Sequence, residues 1–304
     1  MSTASTAALP ATLRLGPVHL TVTDLDRSVE FYERSIGLRA RRRVSGEAAP
    51  GTGGGAAPGG EAVLGTGGED LLVLVEDPGA RRAGRHAGLY HFALLHPSRL
   101  ELARAAKRLI GTRTPVSGAS DHNISEAIYL PDPDGNGIEL AADRPRETWG
   151  DLSDPTAIGG PMPLDMQDLL ASVDEEEPRA EASPGLKVGH LHLHVGDIDE
   201  ALGFWRDGVG FQVMTRFPSA AFIAAGGYHH HLGLNTWRGE GVPPQPDGVV
   251  GLRHWTILLD GAGDVAAVRE RVEATGAGVE DRPGGFLARD PWRNAVEVSV
   301  AVVE

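Results

Sequence analysis

The sequence predicts an α+β fold built from four β-α-β-β-β modules. Three observations predict it. Gly189-His190-Leu191-His192-Leu193-His194-Val195 alternates aliphatic residues with imidazoles, the period-two pattern of a strand with one apolar and one polar face. Val18-His19-Leu20-Thr21-Val22-Thr23-Asp24-Leu25-Asp26 aligns without a gap on Leu191 to Asp199 and places His19 on His192. The turn Asp132-Pro133-x-x-Asn136 recurs as Asp290-Pro291-x-x-Asn294, each time followed by a Glu between aliphatics.

The first module opens with a strand over 15–22. Asp24 or Asp26 caps a helix running to about Ile36, with Val29, Phe31, Tyr32 and Ile36 as apolar positions, and Gly37 ends it. Strands over 38–44, 61–64 and 71–76 follow. Residues 46–60 are almost all Gly, Ala, Pro and Thr, the composition of a flexible surface loop. The second module has a strand over 90–95 and a helix starting at Pro97 and Ser98. Leu100, Leu102, Ala105, Ala106, Leu109 and Ile110 fall at helical spacing there. A loop over 111–121 holds a short strand at most; strands over 126–130 and 138–141 flank the Asp-Pro turn.

The periodicity dissolves over 143–185, which carries Pro145, Pro155, Pro161, Pro163, Pro178 and Pro184 and the acidic run 174–177. A short helix over 166–172 is expected there, with disorder near 174–183 for lack of apolar anchors. The third module follows the His-rich strand with a helix over 199–207 and strands over 211–217, 221–225 and 228–237. The fourth has strands over 252–259, 285–289 and 295–302 and a helix over 263–275. The expected division is therefore a domain over 14–142, a partly disordered connector over 143–185 and a domain over 186–302. Modules should pair first with second and third with fourth, since each needs a partner to bury an open sheet face.

The composition narrows the function. A net charge of −14 and no basic face argue against nucleic acid as a partner. The one basic cluster, Arg39, Arg41, Arg42 and Arg43, reads as a solvated edge strand. With no cysteine there are no disulfides, iron–sulfur clusters or thiolate zinc sites. No apolar run approaches the roughly 18 residues of a membrane span. The N-terminus has neither the basic start nor the apolar run of a signal peptide, so a cytoplasmic location is expected.

Aligned on their shared polar position, the four opening strands present His19, His91, His192 and His254. The closing strands after the Asp-Pro turns present Glu139 and Glu297, in Ile138-Glu139-Leu140 and Val296-Glu297-Val298. One such residue is more often a satisfied polar group than a ligand. Recurrence of the pattern in both halves favours a metal. Two imidazoles and a carboxylate are the donor set of a mononuclear non-haem iron(II) or related divalent site, with positions left open for substrate and dioxygen.

The four units, the His…His…Glu order and Asp132-Pro133-Asp134-Gly135-Asn136-Gly137-Ile138-Glu139 resemble the vicinal oxygen chelate superfamily. That superfamily includes glyoxalase I, fosfomycin and bleomycin resistance proteins and the type I extradiol ring-cleavage dioxygenases. The stretch from Gly226 through His229-His230-His231 to Trp237 is similar to the bacillary catechol-2,3-dioxygenase-like two-domain proteins. The resemblance covers roughly 14–142 and 186–302. It implies two glyoxalase/bleomycin-resistance/dioxygenase-type domains, each a cupped, incomplete barrel. It also implies extradiol cleavage of a catechol-like aromatic ring with dioxygen.

The family's working metal sits in the C-terminal half, which favours His192, His254 and Glu297 as ligands. His19, His91 and Glu139 form a second candidate set. Iron(II) is the expected metal, with Mn(II), Zn(II) or Ni(II) as alternatives. His190 and His194 are expected to line the pocket. The family's proton-transfer His and Tyr map to His122 and Tyr129 in the second module and to His230, with His229 or His231 as alternates, in the third. Thus neither half alone carries the whole set. Two other functions stay open: a glyoxalase-like lyase or isomerase, which would need a second carboxylate near Leu74 or Gly233, and a non-catalytic binder of the resistance type. The expected partners are the small aromatic substrate and dioxygen, with no nucleic acid and no membrane; a homo-oligomer is an open alternative.

Overall fold

The computed structural model describes residues 8–44, 59–82, 84–154 and 161–301. The expected loop over 46–60 lies outside the described residues except for Gly59 and Gly60, which pair with the backbone of Glu76.

Module one comprises β1 (Arg14–Val22), α1 (Leu25–Phe31), β2 (Arg39–Val44), β3 (Glu61–Gly65) and β4 (Asp70–Glu76). Module two comprises β5 (Gly88–Leu95), α2 (Arg99–Thr112), β6 (Gly118–Asp121), β7 (Ser125–Pro131) and β8 (Gly137–Asp143). The connector contributes β9 (Met162–Pro163) and a helix, Met166–Ala171. Module three has β10 (Lys187–His194), a helix from Ile198–Leu202, β11 (Gln212–Phe217), β12 (Ala220–Ala224) and β13 (Leu232–Asn235). Module four has β14 (Gly251–Leu259), a helix from Ala262–Ala274, β15 (Val279–Arg282), β16 (Gly285–Arg289) and β17 (Ala295–Val300). The four-module α+β reading therefore holds.

The pairing of modules does not follow the expectation. One sheet runs β15-β16-β17-β14-β1-β4-β3-β2, joining module four to module one. The other runs β11-β12-β13-β10-β5-β8-β7-β6-β9, joining module three to module two. The seams are antiparallel pairs of opening strands, β1 with β14 and β5 with β10. Burial demands a partner for each module but does not choose it. Modules two and three are also neighbours in sequence, and their opening strands satisfy the demand equally well.

The repeated Asp-Pro turns serve as docking points inside each half. The Asp132 carboxylate accepts from the backbone N–H of Asp134 and Asn136 and from the Asn136 amide, and the hydroxyl of Tyr32 donates to it across modules one and two. Asp290 is held in the same way by Trp292 and Asn294, and Trp205 Nε1 donates to it across modules three and four. Tyr32 and Trp205 sit on matching π-helical turns, Tyr32–Ile36 and Gly203–Val209, that prolong the first helix of modules one and three.

The segment of the connector expected to lack anchors makes contacts with module two. Residues 174–183 lie on α2, held largely by charge-assisted bonds, with Ala182 buried in the core. Arg104 makes two 2.8 Å bonds to Glu176, Lys107 Nζ donates to the carbonyls of Val173 and Asp174, and the buried Arg108 donates to those of Arg179 and Glu181. A search for apolar anchors misses such a segment. The arginine-rich β2 ends the eight-stranded sheet, its arginines paired to Glu181, Asp70, Glu61 and Asp26, as a solvated edge requires. No helix among the described residues is long and apolar enough to cross a membrane.

Candidate metal centre

The seam between β5 and β10 sets the site. Ala93 on β5 lies level with Glu139 on β8 to one side and with His190 on β10 to the other. His91, two residues back on β5, shares that face. Nε2 of His91 and Nε2 of His190 stand 3.0 and 3.1 Å from the same oxygen, Oε2 of Glu139. The ligand atoms of all three lie within 4.8 Å of one another, and all three residues are buried. Gly137 lets β8 approach this closely, for a Cβ there would stand 2.1 Å from the carbonyl oxygen of Tyr90.

The electrostatics suit a cation. Burial alone would raise the Glu139 carboxyl, but the adjacent imidazoles of His190 and then His91 outweigh it and hold the group well below the usual carboxylate range. Burial lowers His91. Both directions favour the carboxylate and neutral imidazole that a metal needs. His91 Nε2 is buried without a hydrogen-bond partner despite its closeness to Glu139. A polar atom so placed is costly unless something else occupies it. Two imidazoles and one carboxylate from three strands, one nitrogen orphaned, fit a divalent first-row ion open on the cavity side.

A cavity of about 650 Å³ opens on this face. Its lining includes the three candidate ligands, His122, Tyr129, His192 and His230. Tyr129 is level with Glu139 on the neighbouring strand β7, and its hydroxyl lies 2.8 Å from His122 Nε2. The His230 ring packs on that of His190, centroids 4.1 Å apart. The second and third modules together therefore bring to one cavity His122, Tyr129 and His230, the residues expected from the resemblance to serve in proton transfer. Tyr90 and Trp237 cross edge to face at 5.4 Å and are exposed at the mouth. His231 instead accepts from the backbone N–H of Ala225, and Tyr228 donates its hydroxyl to Asp143.

The favoured ligand set is not brought together. His192 belongs to the nine-stranded sheet, whereas His254 and Glu297 belong to the eight-stranded one. The second candidate set is likewise divided, since His19 lies on β1 and His91 with Glu139 on β5 and β8. The cause is the crossed pairing of modules. His190, expected only to line the pocket, takes the third place. All three histidines of β10 share a face, and bulges on either side of His190 and His192 decide which one meets Glu139. The sequence does not display those bulges. The split of His122 and Tyr129 from His230 was the available signal that modules two and three share a site.

His192 stays in the cavity wall, its buried Nε2 without a partner, enclosed by Tyr90, Phe222 and Trp237. His194 Nδ1 bonds the Asn235 side chain at 2.7 Å.

At the other seam His19 stacks on His254 at 3.8 Å, and His254 Nε2 is 3.6 Å from Glu297. Two residues before His19, where β10 has His190, stands Pro17. That cluster thus lacks a counterpart of His190, and burial raises Glu297 where Glu139 is lowered.

The architecture and site place the chain in a known class. The model of the Glyoxalase/Bleomycin resistance protein/Dioxygenase superfamily matches residues 14–140 and 187–298, and the chain belongs to that superfamily. It is 37% identical over 285 residues to a Bacillus subtilis (strain 168) protein named catechol-2,3-dioxygenase, across 92% of this chain and 95% of that one. A solved structure from Bacillus subtilis subsp. subtilis str. 168 superposes with a TM-score of 0.66 at 14% identity, over 97% of this chain and 86% of the other. Glyoxalase I from Zea mays superposes with a TM-score of 0.57 at 17% identity, over 95% and 92%. At those identities the structural likeness speaks for the fold.

Proposed function

We propose that the chain is a metal-dependent extradiol ring-cleavage dioxygenase acting on a catechol-like ring, with His91, Glu139 and His190 as the ligands. The observation that carries this is the convergence of that triad with His230, His122 and Tyr129 on one cavity. The name of the 37% identical relative supports the same reading. Iron(II) suits the donor set, and when bound it supplies the redox chemistry that joins dioxygen to the ring.

The residues around the site divide the remaining work. His230, kept neutral by burial, receives the proton that a catechol hydroxyl gives up on binding. Tyr129 stays protonated, because burial and then the Glu139 charge raise its hydroxyl, so it donates a hydrogen bond toward the ring oxygens. His122 orients that hydroxyl. Tyr90, Phe217, Phe222 and Trp237 supply an apolar wall that shields the site from water.

A glyoxalase-like reaction would need a second carboxylate. Glu139 is level with Ala93, two residues past His91; the residue level with His194, two past His192, is Asn235. That amide already bonds His194 and the backbone of Trp237. The test is anaerobic reconstitution with iron(II), then a catechol panel in air, read by dioxygen uptake and the yellow ring-opened product. Both should appear together. Metal binding without dioxygen uptake on any catechol would reject the proposal.

A further inference from the structure

We propose that Asp143 and His229 form a relay that fixes the ring tautomer of His230, so that His230 presents a lone pair rather than a proton to the cavity. The use made of that lone pair rests on the ring-cleavage reading. The relay itself rests on hydrogen-bond geometry.

Asp143 is the last residue of β8, the strand that carries Glu139. Its Oδ2 accepts from the Tyr228 hydroxyl at 2.8 Å, and its Oδ1 lies 2.9 Å from His229 Nε2. A carboxylate only accepts, so the proton of that second bond sits on His229 Nε2. A neutral His229 then keeps its lone pair on Nδ1. That atom is 2.8 Å from Nδ1 of His230. Two ring nitrogens at this distance share one proton, which must come from His230. His230 is therefore the Nδ1–H tautomer, and its lone pair lies on Nε2, at the opposite edge of the ring. His229 is buried beneath Trp149 and Tyr228, surroundings that disfavour the imidazolium that would reverse this order of donors. A carboxylate that fixes the tautomer of a working imidazole is the arrangement used by serine hydrolases.

The rest of the surroundings are built to hold this chain of bonds. Trp149 and Tyr228 pack on His229, with centroids 4.9 and 4.1 Å away, and His229 is buried. Asp143 comes from module two and both histidines from module three, so the relay exists only because those modules pair. Asp143 and His229 are positioning residues; neither needs to touch the substrate. A purely structural clasp between modules would make the same contacts but would leave the tautomer of His230 indifferent to the residue at 143.

The test is long-range ¹H–¹⁵N correlation of the histidine rings in the full chain loaded with diamagnetic zinc(II), assigned with His229→Phe and His230→Phe. The wild type should show His229 as the Nε2–H tautomer and His230 as the Nδ1–H tautomer. Asp143→Asn should shift His230 to a mixture of tautomers or to Nε2–H, and Asp143→Glu should restore it. In the iron-loaded chain, Asp143→Asn should lower kcat by roughly 10²-fold at equal metal content. A wild-type His230 protonated on Nε2 would overturn the relay. So would an Asp143→Asn variant whose ring signals match the wild type. If the tautomers are as stated but no catechol is cleaved, the relay stands and the ring-cleavage reading fails.

Discussion

His91 and His190 belong to opposite halves of the chain, yet their Nε2 atoms approach one carboxylate oxygen, Oε2 of Glu139, at 3.0 and 3.1 Å. The proposed metal site and the ring-cleavage reading both depend on that meeting. It makes the site a joint product of modules two and three.

The first prediction concerns ligands. His190→Ala should cut the content of iron or zinc in purified protein to below about a tenth of wild type, because one of three donors is lost. His192→Ala, His254→Ala and Glu297→Ala should keep near-stoichiometric metal. Plasma emission analysis of the dialysed proteins reads this directly.

The second concerns proton transfer. Tyr129→Phe removes the hydroxyl that His122 orients while leaving the ligands intact. Metal content should stay at the wild-type level and kcat should fall by roughly 10²-fold. Steady-state dioxygen uptake checks it, and an unchanged kcat would remove Tyr129 from the mechanism.

The third concerns substrate charge. Among the described residues no Lys or Arg lines the cavity. A ring bearing a carboxylate would bury it there without a cationic partner, which costs more than the corresponding apolar contact returns. Catechols with alkyl or aryl substituents should therefore bind at least about tenfold tighter than 3,4-dihydroxyphenylacetate, a gap of roughly 1.4 kcal/mol. Trp237→Arg, at the exposed mouth, should narrow that gap. Anaerobic fluorescence titration measures both.

The fourth concerns pH. Burial lowers His19, His96 and His231 to about 3, and His194 and His254 to about 4. Their unfolded value is 6.5. Below it the unfolded chain binds protons that the folded chain refuses, so stability is present above about pH 6.5 and is lost as pH falls. Each group contributes a slope of up to roughly 1.4 kcal/mol per pH unit in that window, less for the partly exposed His19 and His254. Glu139, also lowered, adds to the loss at lower pH still, below the ordinary carboxylate value. The urea midpoint of the metal-free chain should drop between pH 7.5 and pH 5, and a flat profile would contradict this.

Much of the fold is legible in the sequence because it is written locally. The alternation of Leu191 and Leu193 with histidines marks β10, and the Asp132 and Asp290 turns announce β8 and β17. His91, Glu139, His122, Tyr129 and His230 are likewise visible from their places relative to those turns. What stays hidden is non-local. The sequence does not say that β5 meets β10 rather than a partner in its own half. Nor does it say that bulges in that seam turn His190, not His192, toward Glu139. Asp143, at the end of a strand and next to the connector, carries no pattern of its own and becomes legible only once module three lies beside it.

The most direct test is an anomalous difference map, at the iron edge, from crystals of the iron-loaded chain. The account predicts one strong peak roughly 2.0–2.2 Å from Nε2 of His91, Nε2 of His190 and a carboxylate oxygen of Glu139. A peak at His254 and Glu297 with none at His91 would contradict it.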